Sequence, residues 1–291
     1  MGIEEGAPTQ LGPYDLQQEL ARGPHGVIYL GTDPERRRTV AVKRLFCDRT
    51  KMGATRTAVM HYHEVVRPLL YVVHRALSDV YQYGEFYGDF FVAREYLEMP
   101  SLAEVVAKRG PMTVPQALRV GRSVAEALGP GHARRCPHLG IKPTNLFLKE
   151  GVLRVADYGH AALADLLYPE NARRQATVSP FAAPEQSLGP GDLSADVFSV
   201  GALICWGVQG APPRPIAEQP PPPSEAARFQ FLEMDQRAAA SPPAEQMPES
   251  AVDLPPVPAP ARALLAGCLA RDPQERYPDA QSLLTALEQT E

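Results

Sequence analysis

A single change of pattern near Leu97 constrains the fold of this chain more than any other feature. From Tyr14 to Leu97 strand signals dominate. Val27-Ile28-Tyr29-Leu30 and Thr39-Val40-Ala41-Val42 are β-branched runs parted by the turn-like Gly31-Thr32-Asp33-Pro34. A helix is expected around Ala58 to Arg67, and two more strands at Val80–Tyr83 and Phe90–Tyr96. After Leu97 the apolar spacing turns helical. Ser101 and Glu104 stand at capping-box spacing. Val114–Leu128 repeats apolar residues three and four apart, and Ala195–Val208 is apolar nearly all round, as a buried helix should be. Ala259–Leu269 and Asp279–Leu287 read as two closing helices. Five strands and one helix, then a mostly helical half, make an α+β pattern in two lobes.

The expected organisation is a disordered lead-in at 1–13, a strand-rich lobe at 14–97 and a helical lobe at 98–291. An insert at about 211–260 holds roughly half of the prolines, a bias typical of loops and extended segments. The net charge of -5 argues against a nucleic-acid or anionic-membrane surface. The most apolar stretch, Val197–Val208, is too short to span a bilayer. Cys47, Cys136, Cys205 and Cys268 are scattered and form no CxxC pair, which points to reduced thiols in a cytoplasm rather than disulfides or zinc.

Seven short motifs then follow in a fixed order. They are Gly23-Pro24-His25-Gly26, Val40-Ala41-Val42-Lys43, His138-Leu139-Gly140-Ile141-Lys142-Pro143-Thr144-Asn145, Asp157-Tyr158-Gly159, Ala183-Pro184-Glu185-Gln186, Asp196-Val197-Phe198-Ser199 and Arg271-Asp272-Pro273-Gln274-Glu275-Arg276. In this order they resemble the eukaryotic-like protein kinases of the bacterial Ser/Thr type. The resemblance implies a five-stranded antiparallel sheet with one helix above a mostly helical lobe, with ATP and Mg²⁺ between them. It places Gly23, Gly26, Ile28, Ala41, Lys43, Glu64, Arg94, Glu95 and Leu97 around the nucleotide, and Asn145 and Asp157 at the metal. Glu64 is the only glutamate between Lys43 and Glu85, so it is the expected partner of Lys43.

The departures from the family are as informative as the matches. Gly140 stands where an active kinase carries the aspartate that accepts the substrate hydroxyl proton, and no side chain exists there to do so. Leu139 replaces the arginine that would receive a phosphorylated activation loop, so phosphate on Thr177 or Ser179 has no receiver in that pocket. Ala21 replaces the first loop glycine, and Pro24 removes one phosphate-facing N–H. Pro68, four residues after Glu64, should kink or end its helix; Gly129-Pro130-Gly131 should break the helix before the catalytic loop. Arg94 falls at a position normally apolar, where a buried guanidinium needs Glu64 or Asp157 as partner.

These readings describe a pseudokinase: a regulatory binding module with an eroded ATP site. The alternatives are a weakly active Ser/Thr kinase and a scaffold that binds no nucleotide. Gln219–Pro223 and Pro255–Pro258 are candidate polyproline surfaces for a protein partner. Glu185 with Arg276, Asp196 and His138 resemble the family's structural residues.

Overall fold

The computed structural model describes residues 8–23, 26–46, 54–66, 74–149, 151–160, 179–189, 191–214 and 250–290. The first part is a six-stranded antiparallel sheet in the order β1-β2-β3-β4-β6-β5. Its strands are β1 (Gln10–Leu11), β2 (Tyr14–Gly23), β3 (Gly26–Asp33), β4 (Arg38–Leu45), β5 (Val80–Phe86) and β6 (Asp89–Glu95). Helix α1 (Ala54–Val66) lies between β4 and β5 in the chain.

Period-two alternation divides β6 between two apolar faces. Phe91 and Ala93 join Val40, Val42, Tyr14 and Tyr29 on one face. Phe90 and Val92 meet Leu45 and the α1 residues Ala58 and Tyr62 on the other. Strands covered on both sides read as continuous apolar runs, which is why Phe90–Tyr96 was legible.

Two expectations need correction here. The sheet has six strands, not five, and the lead-in does not extend to residue 13. Thr9 accepts a hydrogen bond from Leu16 N–H at 2.8 Å, and Leu11 pairs with Tyr14 and is buried. Burial of one leucine fastens this end to the sheet edge.

The second part is helical: α2 (Leu102–Arg109), α3 (Val114–His132), α4 (Leu193–Gln209), α5 (Ala259–Cys268) and α6 (Ala280–Glu288). Ser101 caps α2 with the expected box, and Thr113 with Gln116 caps α3 the same way. Helix α4 is buried along nearly its whole length and packs against α3 and α5. A hairpin not foreseen from the sequence, β7 (Leu146–Lys149) and β8 (Val152–Val155), joins the two parts. Val155 N–H donates to Ala76 O at 2.7 Å, and Ser78 N–H donates to Val155 O at 2.9 Å.

The expected break at Gly129-Pro130-Gly131 does not occur. Helix α3 runs through Pro130 to His132. A Cβ on Gly131 would come within 1.9 Å of the Tyr158 hydroxyl, which donates to Cys136 O at 2.8 Å. Gly131 therefore opens a seat for Tyr158 against the helix instead of loosening it. Pro255 is buried and Val257 packs on the core just before α5, so Pro255–Pro258 is largely a structural lead-in and not an open polyproline face. The other candidate, Gln219–Pro223, lies outside the described residues, as do Pro24, Pro68, Thr177 and Cys47. Among the described residues, no helix is long and apolar enough to cross a membrane.

Candidate functional site

Strand register sets the site. Ala41 pairs with Arg94 and Lys43 with Val92 across β4 and β6, while Ile28 of β3 pairs with Lys43. Gly23 and Gly26 close the β2–β3 hairpin. Gly26 is required for that approach, since a Cβ there would lie 2.1 Å from Arg44 O.

From opposite sides, two cations reach one carboxylate. Lys43 Nζ donates to Asp157 Oδ2 at 2.7 Å, and Arg94 Nε donates to Asp157 Oδ1 at 3.1 Å. Arg94 also donates through Nη1 to Glu95 O at 3.1 Å. Asp157 is buried, with a φ of 68 that the backbone rarely adopts outside glycine. Burial alone would raise its pKa, but the charges of Lys43 and Arg94 more than offset this and hold the carboxyl well below the usual range. Lys142, exposed overall, is coupled to the same cluster. Desolvation and then Lys43 lower its pKa, with Asp157 opposing.

The expected Lys43–Glu64 pair is absent. Tyr62 and Ala58 point into the core from α1, one turn apart. Glu64 lies two residues beyond Tyr62, about 200° round the helix, and is exposed. Helix phase thus removes Glu64 from the cleft, and Lys43 takes Asp157 instead. Leu97 is buried just after β6, while the Glu95 carboxylate pairs with Arg154.

The loop at 138–145 is firmly held. Asp196, fully buried, accepts from His138 N–H at 2.6 Å and Leu139 N–H at 2.7 Å. Ala280 N–H donates to His132 Nδ1, which leaves His132 Nε2 to donate to Asp196 at 3.0 Å. His138 Nε2 donates to Ala156 O at 3.1 Å, and Gly140 N–H donates to His138 Nδ1 at 3.2 Å. Asn145 Nδ2 donates to Gly140 O at 2.9 Å. Arg276 forks onto Glu185 at 2.7 and 2.8 Å. Gln186 Nε2 donates to Leu139 O at 3.2 Å, tying that segment to the loop.

A protein kinase domain model matches residues 14–286. The chain belongs to the protein kinase domain family. Curated relatives of this kinase domain include the serine/threonine-protein kinase PknD of Mycobacterium tuberculosis, 27% identical over 70% of this chain and 31% of that protein. Pkn1 of Myxococcus xanthus is 29% identical over 74% of the chain and 33% of its own length. PksC of Streptomyces coelicolor is 28% identical over 94% of the chain and 48% of its own length. The chain thus spans under half the length of each of these three relatives.

Kinase domains ordinarily take ATP and Mg²⁺. The residues here do not fit the metal. Its expected ligands are Asp157, whose two oxygens are each held by a cation, and Asn145, whose NH₂ bond to Gly140 O leaves one neutral amide oxygen to offer. Among the described residues no cluster of three His, Cys, Asp or Glu side chains could hold a metal ion. The cations Lys43 and Lys142 do suit an anionic ligand.

Two residues of this site were not singled out from the sequence. Lys142 was visible as the only Lys or Arg between His138 and Asn145, but its coupling to Asp157 was not. His160 directly follows Asp157-Tyr158-Gly159, and nothing local marks it as buried. Its ring stacks edge-on to Tyr62 at 5.7 Å, and neither ring nitrogen has a hydrogen-bond partner among the described residues. Burial, then the charge of Lys43, push its pKa from 6.5 to about 3.

Below pH 6.5 the unfolded chain takes up a proton at His160 that the folded chain refuses. Stability therefore falls with pH from 6.5 toward 3, by up to about 1.4 kcal/mol per unit. Urea unfolding near pH 7 and about pH 5 should show wild type losing ~2 kcal/mol more than His160→Phe. Buried His138, whose pKa is also lowered, leaves a residual slope in both. Equal losses in the two proteins would contradict the assignment.

Proposed function

We propose that this kinase domain is a pseudokinase, a binding and regulatory module that does not transfer phosphate at an ordinary rate. One observation carries the reading. At residue 140 the catalytic loop presents only backbone, with its N–H given to His138 and its carbonyl to Asn145. A base is normally worth about 10²–10⁴ in rate, and the loop His138–Asn145 contains no carboxylate to replace it. The scaffold around that gap is intact, because Asp196, His138 and the Glu185–Arg276 pair keep their partners.

The cleft between Lys43 and Leu97 serves in this reading as a nucleotide-responsive regulatory site, and signalling passes through a protein partner. The Pro-rich insert is the surface we assign to that partner. The compartment is reducing and cytoplasmic; the support is that Cys205 and Cys268 are free and buried. The rival reading, a weakly active Ser/Thr kinase, draws on the retained Lys43 and Asp157.

Radiolabelled phosphate transfer by the purified chain, to itself and to a general protein substrate, decides between them. The expected signal does not exceed that of Lys43→Met. Gly140→Asp alone should also stay far below ordinary kinase rates, because Asp157 remains claimed by Arg94. Robust transfer lost in Lys43→Met would overturn the proposal.

A further inference from the structure

We propose that this cleft binds its nucleotide as the metal-free polyphosphate, with Arg94 standing in for the divalent cation. The inference rests on reading the cleft as a nucleotide site. It deepens that reading by naming the ionic form of the ligand.

The charge inventory carries the argument. Two cations, Lys43 and Arg94, converge on one carboxylate, Asp157, and a third, Lys142, lies close enough for its charge to feel Lys43 and Asp157. Lys43 and Arg94 each hold one of its oxygens. The ammonium of Lys142 donates to nothing among the described residues. The cluster therefore carries excess positive charge before any ligand arrives. Buried or half-buried cations without counter-charge are costly, and a polyphosphate supplies that charge directly.

A divalent cation faces the opposite situation. To reach Asp157 it must share an oxygen with Lys43 or Arg94, or displace one of them, and in either case sit against cations already bound there. Arg94 cannot withdraw cheaply, because its side chain is 7% exposed and its second donor is fixed on Glu95 O. A planar guanidinium that cannot lose its proton is a permanent charge at this place. Asn145 offers only a neutral amide. His160 adds no charge, since its ring is buried and neutral. The neighbouring carboxylates do not change the balance: Glu95 pairs with Arg154, and Glu64 points to solvent.

The test is an equilibrium titration of the purified full chain with ATP, in EDTA and in saturating Mg²⁺, read by calorimetry and by the shift in unfolding midpoint. Wild type should bind ATP in EDTA about tenfold or more tightly than in Mg²⁺. Arg94→Met should reverse that order. Lys142→Ala, at an exposed position that threatens no core, should weaken metal-free ATP by about tenfold. Adenosine should bind far more weakly than ATP. A wild type that needs Mg²⁺, an unchanged order in folded Arg94→Met, or adenosine equal to ATP would each overturn the inference. So would a failure of ATP to bind at all, which leaves the pseudokinase reading standing. Robust phosphate transfer would instead sink that reading while metal-free binding could still be measured.

Discussion

Asp196→Ala is expected to lower the stability of the chain by about 3–5 kcal/mol. The carboxylate is completely buried and accepts from two consecutive backbone N–H groups, His138 and Leu139. Alanine leaves both donors dry, at about 1–3 kcal/mol each, and also strips His132 of its acceptor. Leu139 deepens the effect. Its φ of 59 is a strained conformation for a branched side chain, and the bond from its N–H to Asp196 helps to hold it there. Asp196→Asn should fall between, since one amide oxygen can still accept while the NH₂ group opposes the other donor. Urea unfolding of the three proteins provides the comparison. An alanine variant within 1 kcal/mol of wild type, to the order of magnitude such losses carry, would show that the loop does not depend on this acceptor.

The second large effect belongs to Arg276. Its side chain is wholly buried and directs its donors to both Glu185 oxygens and to Ala270 O, with weaker contacts to Arg271 O and Ser194 O. Its guanidinium also lies 5.0 Å from the Phe198 ring centroid. Glu185→Ala would leave this cation unpaired in the interior, at about 3–5 kcal/mol. Arg276→Ala should cost a similar amount, because three carbonyls and one carboxylate lose their donor together. The informative variant is Arg276→Lys. A lysine ammonium cannot fork onto a carboxylate and reach Ala270 O at once, so it should recover less than half of the loss. Wild-type stability in Arg276→Lys would mean that charge alone, and not the planar fork, holds the segment at Glu185.

Both effects fall on the scaffold. The same buried bonds that keep the loop at 138–145 in place would hold an aspartate at position 140 if one were there. On the proposed reading, two departures among the described residues fall on groups that would face ligand: Gly140 has no side chain, and Arg94 holds the carboxylate that a metal would need. That division supports a domain retained for what it binds.

The sequence by itself determined what depends on neighbours along the chain. The β-branched runs of β3 and β4, the Ser101–Glu104 cap and the all-round apolar surface of α4 follow from a period of two, a cap closed within three residues and a continuous apolar run. The missing carboxylate at position 140 is a fact of composition that no folding can alter. Tertiary structure decided the partnerships. Lys43 finds Asp157 across 114 residues and Arg94 reaches the same carboxylate across 63, whereas nearby Glu64 is carried away by the phase of its helix. Residue 131 must be glycine because Tyr158, on another segment, fills the space beside it. A residue's type limits which bonds it can make. Which bonds it does make depends on distances that exist only once the sheet and the helices have packed.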